Sequence, residues 1–241
     1  MMRKLVIIFI MFIQLVANES LFQRGNDAYK AENYSQALEF YSQIEASDLE
    51  SVALYYNLGN TYFKLGQLGQ AIRYYEKAKK LSPLDDDVNA NIKIIQAKLV
   101  DKIELPEQMF IFDLFLSLKY SLSVDGWFML LLLCTSLCVI SVLIKRFNNK
   151  RVGNILLTTG LCLTLCAGLF SYSRVNDLSF QKAVVIEKTA TVYTAPNANS
   201  EAFILHEGAL FDVIRTEGSY VEISLIDGKT GWIKQTLIGH I

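Results

Sequence analysis

Cysteine is confined to two apolar runs of this chain, where Cys134, Cys138, Cys162 and Cys166 are the only four. The remaining sequence therefore has no disulfide framework. Histidine is scarcer still, with only His206 and His240. Outside the apolar runs no Cys–His nucleophilic pair can form, and a lone His206 reads as a partly exposed strand residue rather than a base. No glycine-rich loop follows a strand, because Gly59, Gly66 and Gly69 fall in helical sequence, and no HExxH or other clustered metal-ligand motif occurs. The net charge of −1 carries no basic excess that would suit nucleic acid. These absences leave no catalytic residue, cofactor or metal to assign, and the expected function is non-enzymatic. The four thiols are the exception to weigh. Each pair is spaced by four, so each shares one helix face. If the two faces met, a metal or redox site would be conceivable. With no His or charged partner beside them, they read as small apolar packing residues.

What is present begins with a repeat. Gly25-Asn26 recurs as Gly59-Asn60, and at the same offset of 34 residues Lys30 becomes Lys64, Ala37 becomes Ala71 and Tyr41 becomes Tyr75. A 34-residue period with small residues at fixed points resembles the tetratricopeptide repeat. The second copy is fuller, with Leu58, Gly59, Tyr62, Gly66, Ala71, Tyr75, Ala78 and Pro83. The first has Ala28 where Tyr62 stands and Ile44 where Ala78 stands. Glycine and alanine let two helices approach, aromatics fill the space between them, and Pro83 ends the last helix. The run Asp85-Asp86-Asp87 then predicts a helix start, since carboxylates cap free N–H groups and suit the dipole. Val88, Ile92, Ile95 and Leu99 follow as one stripe. A helix running to about Ile103 is expected to cap the second repeat. In such arrays the first helix of each repeat lines the concave groove. Phe22, Asn26, Tyr29 and Lys30 fall there in the first copy, and Tyr56, Asn60, Phe63 and Lys64 in the second. Amides can hold a peptide backbone, aromatics supply pockets, and lysines add positive charge, so these eight residues are the expected partner-binding set.

Three apolar segments predict a membrane protein. Arg3 and Lys4 precede an apolar run in residues 1–18, which reads as a signal peptide or a retained signal anchor. Residues 127–144 and 155–172 carry no internal charge and are each long enough to cross a hydrocarbon core. Lys145, Arg146, Lys150 and Arg151 lie in the short connection, which the positive-inside rule places in the cytoplasm. Both flanks of the 127–172 hairpin are then exported. Residues 105–126, rich in Phe and Leu but broken by Asp113 and Lys119, read as an amphipathic interfacial segment or as a helix packed against the repeats.

From 181 to 241 short runs such as AVVIE, ATVYT, AFILH and YVEISLI alternate β-branched and polar residues. Pro196-Asn197, Glu207-Gly208, Glu217-Gly218 and Asp227-Gly228 punctuate them. Short strands at this spacing predict a small all-β barrel. Ala195-Pro196, Glu207-Gly208 and Gly231-Trp232-Ile233, in that order, resemble a bacterial SH3-like domain. Tyr220 stands where that family often has Trp. The resemblance makes Tyr220 and Trp232 its expected binding surface.

The whole order comprises a signal at 1–18, repeats with a capping helix at 19–104, the hairpin and the SH3-like domain. With the DVNANIKIIQAKLVDKI helix containing Asn91 and Asp101-Lys102-Ile103, it resembles BatE of the Bat (Bacteroides aerotolerance) family. The resemblance implies a bacterial inner-membrane protein with its repeats and SH3-like domain on the periplasmic side. It implies partners among other Bat proteins, some with von Willebrand A-type domains, alongside a MoxR-type ATPase, and a role in oxygen or envelope stress. The leading expectation is a scaffold that holds protein partners through its repeats. The alternative is a peptidoglycan-binding module acting through the SH3-like domain.

Overall fold

The computed structural model describes residues 18–101, 110–147, 150–179, 181–197 and 200–241. Residues 1–17 of the expected signal, Pro106, and Lys102-Ile103 lie outside them. The chain divides into two compact units, Met1–Glu104 with Gln181–Ile241, and Leu105–Phe180.

In the first unit, α1 covers residues 18–30, α2 Tyr34–Glu45, α3 Val52–Lys64, α4 Leu68–Leu81 and α5 Asp86–Gln96. Local chemistry sets the starts. Asn33 accepts from Gln36 N, Ser51 from Leu54 N and Asp85 from Val88 N. Gly66, at φ 76°, turns the chain out of α3. The recurring glycines admit the recurring tyrosines. A Cβ on Gly25 would meet the Tyr41 ring at 2.5 Å, and one on Gly59 the Tyr75 ring at 2.8 Å. Tyr41, Ile44, Leu54, Leu58, Ala71, Ile72, Tyr75, Val88 and Ile95 form a continuous buried core. The capping helix ends at Gln96 rather than near Ile103. Leu99 still reaches the core, but beyond the helix, where it packs on Gly208.

The same unit holds β1 Lys182–Val185, β2 Thr189–Tyr193, β3 Glu201–His206, β4 Leu210–Glu217, β5 Tyr220–Ser224, β6 Thr230–Lys234 and β7 Ile238–His240. They form one antiparallel sheet in the order β3-β2-β6-β5-β4-β1-β7. Glycines at positive φ (Gly208, Gly218 and Gly228) make three of the turns. The expected barrel does not close, because β3 and β7 end the order without pairing with each other. The free edge of β7 meets α4 instead. Arg73 Nε donates to the His240 carbonyl at 2.9 Å, and a Cβ on Gly239 would meet the Arg73 side chain at 2.6 Å. An edge covered by a helix needs no further strand.

Helices and sheet share their interior. Val184 of β1 is fully buried within the helical core, joined by Ile186 and Leu210 at its margin. Gly69 N donates to Glu207 Oε1 at 2.8 Å, so the β3–β4 turn caps the first turn of α4. Asp101 accepts from His206 N at 2.7 Å and meets His206 Nδ1 at 2.9 Å.

The second unit consists of α6 Phe110–Tyr120, α7 Val124–Phe147 and α8 Lys150–Ser179. The latter two are long and apolar enough to cross a membrane. They pack through small residues: Gly160 lies against Cys138 Sγ, and Ala167 and Ser141 are buried. Within this unit α6 packs on α8 through Phe115 and Phe170, with ring centroids 5.5 Å apart. The four thiols do not converge. Cys134 is buried and Cys138 lies 3.9 Å from the Thr164 hydroxyl, whereas Cys162 and Cys166 are exposed.

Candidate partner-binding groove

α1 and α3 present equivalent side chains at a 34-residue offset, and the structure binds them into one polar and aromatic row. Asn26 Oδ1 accepts from the Tyr41 hydroxyl at 2.7 Å and from Asn57 Nδ2 at 3.0 Å. Asn60 Oδ1 repeats this with the Tyr75 hydroxyl at 2.6 Å and Asn91 Nδ2 at 3.3 Å. Each tyrosine thus stacks on a recurring glycine and donates to the asparagine beside it. The two amides occupy equivalent stations, but their oxygens are committed inside the protein. Asn26 and Asn60 are both half-buried.

Aromatic rings extend the row. Phe22 lies 5.8 Å from Tyr41, and Tyr56 lies 5.8 Å from Tyr75. Tyr29 meets Tyr34 edge-on at 5.3 Å. Burial, with Tyr29 close by, pushes the Tyr41 hydroxyl up to about 12. Burial, with Tyr56 and Tyr29 nearby, also raises that of Tyr75. Both hydroxyls therefore remain donors at neutral pH.

Cations flank the rings. Lys64 Nζ lies 6.0 Å from the Tyr34 ring centre, and Lys98 Nζ lies 5.8 Å from that of Phe63. Lys30 is exposed at the end of α1. The structure therefore gathers Phe22, Asn26, Tyr29, Tyr56, Asn60, Phe63 and Lys64 along the first helices, with Lys30 at their margin. It adds Asn57, Asn91 and Lys98, which the sequence reading left out of the set. The missed signal is the same period: Asn57 and Asn91 are also 34 residues apart. Chemically, the row offers amide groups, ring edges and ammonium groups, which suit an extended peptide with apolar and acidic side chains.

Tyr220 and Trp232 are not an open shelf, which corrects the expected SH3-like surface. They are 8% and 5% exposed. Trp232 pairs across the sheet with Tyr193, whose ring meets Tyr220 edge-on at 6.1 Å. Arg215 lies 5.1 Å over the Trp232 ring and is held there by Glu222 at 2.6 Å. Tyr220 and Trp232 are thus covered by Tyr193, Arg215 and each other's strand neighbours.

His206 is likewise engaged, since Asp101 holds both its backbone N–H and Nδ1. This pair joins β3 to the segment after α5.

Residues 52–84 match the family described as Tetratricopeptide repeat. No curated protein matches the chain.

Proposed function

We propose that the chain is a non-enzymatic, membrane-anchored scaffold whose repeats hold a partner protein along the α1–α3 row. The observation that carries this reading is the duplicated Tyr–Asn–Asn arrangement flanked by Lys64 and Lys98. An organised row of amides, rings and cations on successive repeats is a recognition surface rather than a reaction site. The match of residues 52–84 to a repeat family built for protein contacts supports it.

The membrane anchor is the α7–α8 hairpin. Its apolar length supports that role, and so does a parity argument. The described residues 18–101 and 181–241 belong to one compact unit with Val184 in the shared core. Chain on both sides of the hairpin must then lie on one side of any membrane, which requires an even number of crossings between them. Lys145, Arg146, Lys150 and Arg151 at the connection support a cytoplasmic connection with the folded unit on the exported side, and the resemblance to the Bat family suggests a bacterial inner membrane. In a Bat-type assembly linked to aerotolerance or envelope stress, the partners would be membrane proteins with von Willebrand A-type domains.

The test is a pulldown from detergent-solubilised membranes with the wild-type chain and a Lys64→Glu, Lys98→Glu variant. Defined membrane-protein partners lost from the variant would support the reading. Equal recovery of partners by both would remove the groove as the binding face.

A further inference from the structure

The hairpin end remote from the Lys145–Arg151 connection carries a charged cluster that membrane anchoring alone leaves unexplained. The end of α6, the start of α7 and the end of α8 meet there. Lys119 Nζ contacts Asp177 Oδ1 at 2.8 Å, and the Tyr120 hydroxyl donates to Asp177 Oδ2 at 3.1 Å. The Lys119 side chain is only 9% exposed. Trp127 Nε1 donates to the Lys119 carbonyl at 3.0 Å, and its ring stacks on Phe170 at 4.7 Å.

Both oxygens of Asp177 are thus engaged before Arg174 is considered. Arg174 comes no closer to that carboxylate than 4.0 Å, beyond hydrogen-bond reach. Its guanidinium lies 4.7 Å from the Tyr120 ring centre. A cation–π contact of this kind answers none of the guanidinium's hydrogen-bond donors. Arg174 Nε is buried without a hydrogen-bond partner, and the side chain as a whole is 11% exposed. No second carboxylate is bonded to either cation among the described residues. Two cations against one carboxylate leave a net positive charge, with the unused fork of an arginine at its centre. Buried charged donors are rarely left in this state, and a planar fork fits the paired oxygens of a phosphate.

We propose that Arg174 and Lys119 form a binding site for a phosphate oxyanion, with the Tyr120 ring holding the guanidinium flat and Trp127–Phe170 forming the apolar floor. This deepens the membrane-anchor reading and rests on it: aromatic side chains at a hairpin end are suited to the headgroup level, where phosphodiesters lie. The exposed edge of Arg174 is the entrance. A small swing of the guanidinium across the Tyr120 face turns Nε toward the ligand, while Lys119 keeps Asp177 occupied.

The experiment uses the full chain in neutral detergent. Native mass spectrometry would follow retention of added phosphatidylglycerol and phosphatidylcholine by the wild type, Arg174→Gln and Arg174→Lys. The wild type should retain phosphatidylglycerol preferentially. Arg174→Gln should reduce retention roughly tenfold, as loss of a charge-assisted contact implies. Arg174→Lys, which keeps charge but loses the fork, should fall between them with unchanged helicity. Competition by inorganic phosphate at constant ionic strength identifies the source: displacement at low millimolar concentration assigns free phosphate, and resistance assigns the lipid headgroup. Equal phosphatidylglycerol retention by wild type and both variants, or no preference over phosphatidylcholine, would overturn the site. Flotation with neutral vesicles separates the two readings. A chain that floats without headgroup preference loses only the site, and one that never floats loses the anchor as well.

Discussion

The Tyr75 hydroxyl donates to Asn60 Oδ1 at 2.6 Å, and this contact is one half of a pair that also ties Asn91 to the same oxygen. The arrangement makes each asparagine serve packing between repeats before it serves a ligand. Asn60→Ala would leave the buried Tyr75 hydroxyl and the Asn91 amide without their acceptor, at a cost of about 1–3 kcal/mol. Asn26→Ala should behave in the same way through Tyr41 and Asn57. Tyr75→Phe leaves Asn60 with Asn91 and should cost about 1 kcal/mol. Denaturant unfolding of the three variants measures this order, and a smaller loss for Asn60→Ala than for Tyr75→Phe would contradict it.

Gly59 and Gly66 should respond to alanine for different reasons. At Gly59 the new methyl group would meet the Tyr75 ring at 2.8 Å, so the ring must shift within a full core. Overpacking of this kind costs about 1–3 kcal/mol. At Gly66 there is open space but φ is 76°, and the cost is backbone strain of about 1–2 kcal/mol. Truncating the ring in a Gly59→Ala, Tyr75→Leu double variant should recover part of the first loss. The same Tyr75→Leu change should recover none of the second, and thermal unfolding would read the difference.

Glu45 gives the repeats an acid limit. It accepts from the Tyr74 hydroxyl at 2.6 Å and from Lys77 at 3.0 Å. Burial alone would raise its carboxyl, but these hydrogen bonds and the charges of Lys77 and Arg73 outweigh burial and hold it below the usual carboxylate value. A folded value below the unfolded one means that the stabilisation is complete above the usual carboxylate range and is lost as pH falls through the folded value. Glu45→Gln should therefore be less stable than wild type at neutral pH, with the gap narrowing on acidification. Unfolding midpoints between pH 7 and the acid limb would show the convergence.

The joint between helices and sheet should fail as a unit. Glu207→Ala removes the acceptor for Gly69 N, and Asp101→Ala removes that for His206 N. Each should cost about 1–2 kcal/mol, the range for a lost cap. Because Val184 lies in the helical core, helix melting and sheet melting should remain coincident in the wild type. Far-ultraviolet circular dichroism and protection of strand amides from exchange would follow the two. Separate transitions in the wild type would show that the shared interior contributes little.

The repeats were legible because their period records contacts. Gly25, Asn26 and Tyr41 recur as Gly59, Asn60 and Tyr75 since a ring needs a glycine beneath it and an acceptor at its tip. The helix start at Asp85 was legible because capping is local. The joint was not. Gly69 and Glu207 are 138 residues apart, and Asp101 and His206 are 105 apart. Neither pair follows a period, and each exists only after two surfaces dock. Tyr220 and Trp232 misled for a related reason. The SH3-like resemblance makes them a binding surface, but coverage by Tyr193 and Arg215 depends on cross-strand register that single strands do not reveal. The open sheet follows from the same docking, since Arg73 on α4 takes the β7 edge that a barrel would have given to β3.

The interior shared by Val184 and the helical core also sets a timetable. During synthesis α1 to α5 emerge first, yet the face of α4 that receives β1 and β7 stays uncovered until residues 181–241 have followed the hairpin out. The helical segment must spend that interval incomplete, with Gly69 N lacking its Glu207 acceptor and Arg73 Nε lacking the His240 carbonyl.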